Sequence, residues 1–233
     1  MASVNMPRDA GSADWYAQAL IQSSGGTFVY PDGTPGFDTP EGRRALSIWE
    51  NLGAEGLQDP ISAADAFTAF TSGRLAYYTG SPAQSASAQK AVGDAFEWTV
   101  TDLPIPDGGK SSLSVGGNDF IVLSDDACRA AFANEMISDL LDPEIIAASS
   151  KTYSYIPVDT EAATQLATDP AATTQLGYSW TYTGTPTPWG GWHGAATPRV
   201  NALLKAMAER LTTGEDTNTV VPETVRRITS AVK

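Results

Sequence analysis

The spacing of apolar and polar residues predicts a helix-rich chain with a few short strands. Ser12 is placed to cap a helix through Trp15, Ala19 and Leu20 that stops at Gly25-Gly26. Phe28 to Tyr30 reads as a short extended piece, and Pro31-Asp32-Gly33 as a turn. Thr39-Pro40-Glu41 combines a cap, a proline at the first helical position and an early acid. Ala45, Leu46, Ile48, Trp49 and Leu52 then give that helix a buried stripe. Ser62-Ala63-Ala64-Asp65 resembles a capping box ahead of a short helix carrying Phe67 and Phe70. Leu75 to Tyr78 is a compact strand candidate, and a polar, alanine-rich helix follows near residues 82–91.

Phe96, Trp98 and Val100 alternate with Glu97 and Thr99, the period-two mark of a half-buried strand. Leu103-Pro104-Ile105-Pro106 is extended, because each proline disfavours helix at the residue before it. The continuous apolar run Phe120-Ile121-Val122-Leu123 predicts a buried strand. The helix opened by Ser124-Asp125 places Cys128, Ala131, Phe132, Met136 and Leu140 along one side. Asp142-Pro143-Glu144 restarts helix, Tyr153 to Pro157 is a loop, and two short helices fall within residues 159–176. Gly177 to Gly194 is the longest irregular stretch. Thr197-Pro198 caps a helix with Val200, Leu203, Leu204, Met207 and Leu211 on one face, and Pro222 opens a last one with Val225, Ile228 and Val232.

Composition narrows what such a chain does. It has 233 residues, 27 acidic against 14 basic side chains and a formal net charge of −13, which argues against a nucleic-acid partner. Cys128 is the single cysteine, so no internal disulfide forms, and its apolar helix side predicts a buried, inert thiol. No apolar run approaches the ~20 residues that span a bilayer, and no basic-then-apolar start resembles a signal peptide.

The one histidine, His193, lies in a Gly/Trp loop and no serine sits in a G-x-S-x-G elbow, while one histidine and one cysteine cannot build a structural zinc site, so no nucleophilic triad, metal or cofactor is expected. Val115-Gly116-Gly117 is not a dinucleotide fingerprint; its glycines allow close backbone approach by another segment or by a ligand. A carboxylate pair for glycoside hydrolysis stays open, because nothing singles out any two of the acids.

The aromatic loop carries more information. Tyr178, Trp180, Tyr182, Trp189 and Trp192 fall within eighteen mostly irregular residues. They either cap a core beneath a long loop or form a stacking platform for sugar rings, whose C–H faces pack on aromatic faces. Asn118, Asp119, Tyr153, Tyr155 and His193 are the polar groups available to such a platform.

A series of phrases then occurs in one order. Trp15 and its helix lead to Ser24-Gly25-Gly26, Phe28 and Asp32-Gly33, and Phe37-Asp38-Thr39-Pro40-Glu41-Gly42 precedes Ala45-Leu46. The run from Ala66 through Phe70, Gly73 and Arg74 to Ala76 is followed by Gly80-Ser81. Leu103-Pro104-Ile105-Pro106 precedes Gly116-Gly117-Asn118, then come Tyr155-Ile156-Pro157-Val158 and the helices from Pro198 through Gly214. This order resembles the family 1 extracellular solute-binding proteins, the carbohydrate-binding subunits of ABC importers. Within that family Thr185-Pro186-Thr187-Pro188 is similar to the glycerol-3-phosphate and disaccharide binders. The arginine of phosphate-binding members is absent from Trp189-Gly190-Gly191-Trp192-His193-Gly194, which favours a neutral sugar or polyol.

The resemblance implies an α/β fold of the periplasmic-binding-protein type (type II), with a helix-rich second lobe, a short mixed sheet and a first lobe largely missing. Residues 1–14 are then tag, linker or truncated start, and 15–114 a second-lobe segment. Residues 115–150 normally return to the first lobe, and 151–233 form closing helices and the aromatic loop. Without its first lobe, Phe120 to Leu123 is an unpaired apolar edge.

The implied activity is binding without chemistry, in a cleft that closes by hinge motion for recognition by a membrane ABC permease. Trp15 stacks on the ligand, Gly80 and Ser81 edge the cleft, and Gly116, Gly117 and Asn118 supply backbone and amide donors. Tyr155 closes from its loop, and Trp189, Trp192 and His193 line the far wall. The full-length parent is extracytoplasmic, periplasmic or a cell-surface lipoprotein. The rival expectations are a carbohydrate-active hydrolase and a protein-interaction module.

Overall fold

The computed structural model describes residues 3–9, 12–184 and 186–232. Thr185 of the Thr-Pro-Thr-Pro phrase lies outside them, as do Met1, Ala2, Ala10 and Gly11 of the segment expected to be tag, linker or truncated start. The chain divides into two compact units. The first takes Met1–Thr79, Leu103–Gly116 and Gly184–Lys233, and the second takes Gly80–Asp102 and Gly117–Thr183.

The first unit is built on five helices, α1 (Ala13–Ser23), α2 (Pro40–Ala54), α3 (Ala63–Thr71), α8 (Thr197–Thr212) and α9 (Thr217–Ala231). Two parallel pairs of two-residue strands join them: β1 (Val4–Asn5) with β2 (Tyr77–Tyr78), and β3 (Ser114–Val115) with β4 (Thr187–Pro188). A parallel pair needs a long crossover. The helices α1 to α3 supply the first, and the excursion through the second unit supplies the other.

The predicted caps at Thr39 and Ser62 form, to the N–H of Gly42 and of Asp65. Leu20, Ile21, Phe28, Phe37, Leu46, Trp49, Leu204, Met207 and Leu211 make one core. The α2–α8 crossing is close enough that a Cβ on Gly53 would sit 2.0 Å from the Thr212 carbonyl oxygen. Glu50 of α2 caps α9 by accepting from the Thr217 N–H at 2.9 Å and from its hydroxyl. The last helix starts at the Asp216 cap, so Pro222 falls inside it rather than opening it.

Residues 3–9, expected to be tag, linker or truncated start, pack into this unit around Met6. Met6 is 2% exposed, and the Gln58 amide bonds both its N–H (3.0 Å) and its carbonyl (2.9 Å).

The second unit packs α6 (Pro143–Tyr153) against α7 (Thr160–Ala167), burying Ile146, Ala147, Ala162, Leu166 and Trp180. It also holds α4 (Ser85–Val92) and α5 (Ala127–Leu140). Three expectations fail here for one reason. Residues 120–123 form no strand, α5 buries none of its residues, and Cys128 is exposed rather than buried. Nothing among the described residues covers that surface, and Phe120, Ile121 and Leu123 are 58%, 76% and 90% exposed. A strand without a neighbour has no ladder to join. Residues 96–100 likewise form no strand, although the alternation survives as half-buried and exposed positions.

Replacing Gly53 with alanine forces α2 off α8. We expect a loss of about 2 kcal/mol of stability, the usual order for overpacking, read as a lower urea midpoint at unchanged slope.

Candidate functional site

Two indoles meet in the first unit. Trp15 stands in the first turn of α1, and Trp189 directly follows β4. Their rings stack with centroids 5.2 Å apart and planes 8° from parallel, and both side chains are half-buried. Gly116, directly after β3, lies against this pair. A Cβ there would come within 2.6 Å of Trp15 Cη2, so the backbone approaches the ring as only glycine permits. Trp15, Gly116 and Trp189 are therefore brought together.

Two polar residues on α1, which sequence reasoning missed, stand behind the rings. Asp14 is 4% exposed, and burial holds its carboxyl above the usual carboxylate range. It lies near the Trp189 indole, yet neither its Oδ1 nor the indole N–H has a hydrogen-bond partner among the described residues. Gln18, 1% exposed, donates to the Pro188 carbonyl and accepts from the Gly190 N–H, each at 3.1 Å. The available signal was a four-residue spacing of Asp14, Gln18 and Gln22 beside the buried positions Ala17 and Ile21.

The other expected residues lie elsewhere. Trp192 is a core residue, not an exposed wall: it packs edge-on to Phe28 (5.3 Å, 72°), and its N–H donates to the Gly33 carbonyl at 2.7 Å. His193, next in sequence, is exposed. Gly80, Ser81, Gly117, Asn118 and Tyr155 belong to the second unit. Ser81 caps the short helical turn at Pro82–Gln84 through the Ala83 N–H, and Gly117, Asn118 and Tyr155 are exposed. The aromatic stretch is itself divided. Trp180 anchors the second unit's core, and Tyr178 donates to the Asp102 carboxylate while tilting against Tyr182. No group of three or more metal-binding side chains converges among the described residues.

The family profile described as bacterial extracellular solute-binding protein matches residues 4–175. The chain belongs to that family. No curated protein matches it by sequence. Similar solved structures include the sugar-binding protein MalE from Xanthomonas citri, at 16% identity and TM-score 0.77 over 99% of this chain and 58% of that one. The cyclic alpha-maltosyl-1,6-maltose binding protein from Arthrobacter globiformis matches at 18% and 0.74, over 99% and 59%. UgpB from Mycobacterium tuberculosis, solved with glycerophosphocholine, matches at 18% and 0.70, over 99% and 56%. This solute-binding chain thus has the expected periplasmic-binding-protein-like α/β fold and spans less than two thirds of these relatives. Among its described residues no helix is long and apolar enough to cross a membrane.

Gly116→Ala should push Trp15 off Trp189, seen as loss of the near-ultraviolet dichroism shared by the pair. The raised Asp14 pKa means the folded protein holds that proton more tightly than the unfolded chain does. Stability from this group is therefore present at low pH and lost as pH rises through the folded pKa. Asp14→Asn should raise the urea midpoint at neutral pH, with the gain shrinking as the medium is acidified.

Proposed function

We propose that this chain is the second-lobe part of the substrate-binding component of an ABC importer, and that it takes a neutral sugar or polyol without transforming it. The observation that carries this is the Trp15–Trp189 pair with Gly116 against it. Flat aromatic area beside accessible backbone suits the alternating C–H faces and rim hydroxyls of a sugar ring. The Trp189 to Gly194 loop has no lysine or arginine, and the nearest buried charge is acidic Asp14, which disfavours a phosphorylated ligand. The relatives named as a cyclic alpha-maltosyl-1,6-maltose binding protein and a sugar-binding protein support the same class.

On this reading Gly80, Ser81, Gly117, Asn118 and Tyr155 contact ligand when the two lobes close, with His193 at the margin. Trp192 then acts by holding the loop. The first lobe is the missing partner. Apart from Tyr30 and Tyr77, every exposed large hydrophobic among the described residues lies between 120 and 158, including Phe120, Phe132, Met136 and Val158. An apolar surface concentrated in one segment marks an interface, and the first lobe is the cover that this reading assigns to it. The working protein is extracytoplasmic, in the periplasm or anchored as a surface lipoprotein, and delivers its ligand to a membrane permease.

The test is a tryptophan-fluorescence titration of the two-lobe protein against neutral oligosaccharides, polyols and glycerophosphocholine. Saturable binding of a neutral ligand in the micromolar range, about −8 kcal/mol, is expected, with loss of at least tenfold in Trp15→Ala. No response to any neutral ligand would sink the proposal.

A further inference from the structure

One side chain sets the position of Trp189. In an extended segment the N–H and C=O of one residue point to the same side, and those of the next point to the other. Thr187 and Trp189 give their N–H groups to the carbonyls of Leu113 and Val115, at 2.8 and 2.6 Å. The Pro188 carbonyl and the Gly190 N–H therefore face away from β3. The described sheet has only two strands, so no third strand receives them.

The Gln18 carboxamide stands there instead. Its Nε2 donates to the Pro188 carbonyl and its Oε1 accepts from the Gly190 N–H, both at 3.1 Å. A residue in a parallel neighbouring strand bridges position i in the same pattern, giving its N–H to the carbonyl of i−1 and accepting the N–H of i+1. Gln18 stands in for that strand with a single amide, and the residue it brackets is Trp189. Its second Nε2 hydrogen reaches Gln22 Oε1 at 3.4 Å, which keeps the amide from flipping.

We infer that Gln18 is the positioning residue for the aromatic site: it fixes the Trp189 backbone on the side that β3 leaves free, so that Trp189 meets Trp15 before any ligand arrives. Asp14, one helical turn earlier, lies near the same indole without a hydrogen bond to it, so the hold on Trp189 is that of Gln18. One stretch of α1 thus carries one ring of the pair, Trp15, and the side chain that holds the backbone of the other, Gln18. A ring ordered in advance costs the ligand no ordering free energy, so the consequence of Gln18 is affinity. That consequence rests on the sugar-binding reading; the positioning itself does not.

The experiment separates the two. In the wild-type protein, amide hydrogen exchange should find the Gly190 N–H protected together with that of Trp189. In Gln18→Met the Gly190 N–H should exchange at least tenfold faster, while the Trp189 N–H, still held by Val115, keeps its protection. The exciton-coupled dichroism of the stacked indoles, identified as the signal lost in Trp189→Phe, should fall in the same variant while helical dichroism persists. In Gln18→Glu, which keeps the acceptor but loses the donor to Pro188, Gly190 should stay protected and the coupled signal should weaken. Affinity for a neutral oligosaccharide should drop about tenfold in Gln18→Met. An unprotected Gly190 in the wild type, which needs no variant to fold, would overturn the assignment. So would a coupled signal unchanged in both variants. If the signal falls but the wild type binds no sugar, the positioning role stands and the ligand reading fails.

Discussion

The larger unit depends on the apolar face of α8. Val200, Leu204, Met207 and Leu211 are fully or almost fully buried, and the helix packs on α1, α2 and α9 together. Side chains of this size contribute roughly 1.5–3 kcal/mol each when buried, far more than the two-residue strands can supply. The face also sets geometry. It fixes the axis of α1, and hence the starting positions of Asp14, Trp15 and Gln18. Through Trp192, packed on Phe28 and bonded to Gly33, the same core anchors the loop that leads back to Trp189.

Polar side chains then do what longer strands do in other α/β proteins. The Gln58 amide secures both backbone groups of Met6 beside β1, Gln18 completes the free side of β4, and Glu50 caps α9 across the helix interface. Each is buried or partly buried, where an unmade hydrogen bond costs about 1–3 kcal/mol. These contacts therefore define a unique arrangement more than they add net stability. The aromatic pair sits where two such constraints meet, between a short parallel ladder and one buried amide.

The second unit is organised differently. Ile146, Leu166 and Trp180 form a small core, while the segment from Phe120 through α5 turns apolar residues outward. Its helix forms because local signals suffice: Asp126 caps it through the Arg129 N–H. Its apolar face has no counterpart among the described residues. The interface that the proposed function assigns to this surface fits solved relatives that are longer chains.

Local chemistry made much of this legible in advance. Proline at the first helical position after Thr39, the serine cap at Ser62 and the heptad-like spacing on α8 each act within a few residues, so the helices follow from the chain alone. The order of short phrases likewise carried the family, and it singled out Trp15 and Gly116, which the structure brings together. Tertiary structure decided the rest. It placed Trp192 in the core and Trp189 on the ring of Trp15. It also made Gln18, an ordinary polar residue by spacing, the partner of a strand 170 residues away. Helices close their hydrogen bonds within one turn, whereas ladders, stacked rings and buried amides depend on distant partners whose identity no local pattern contains.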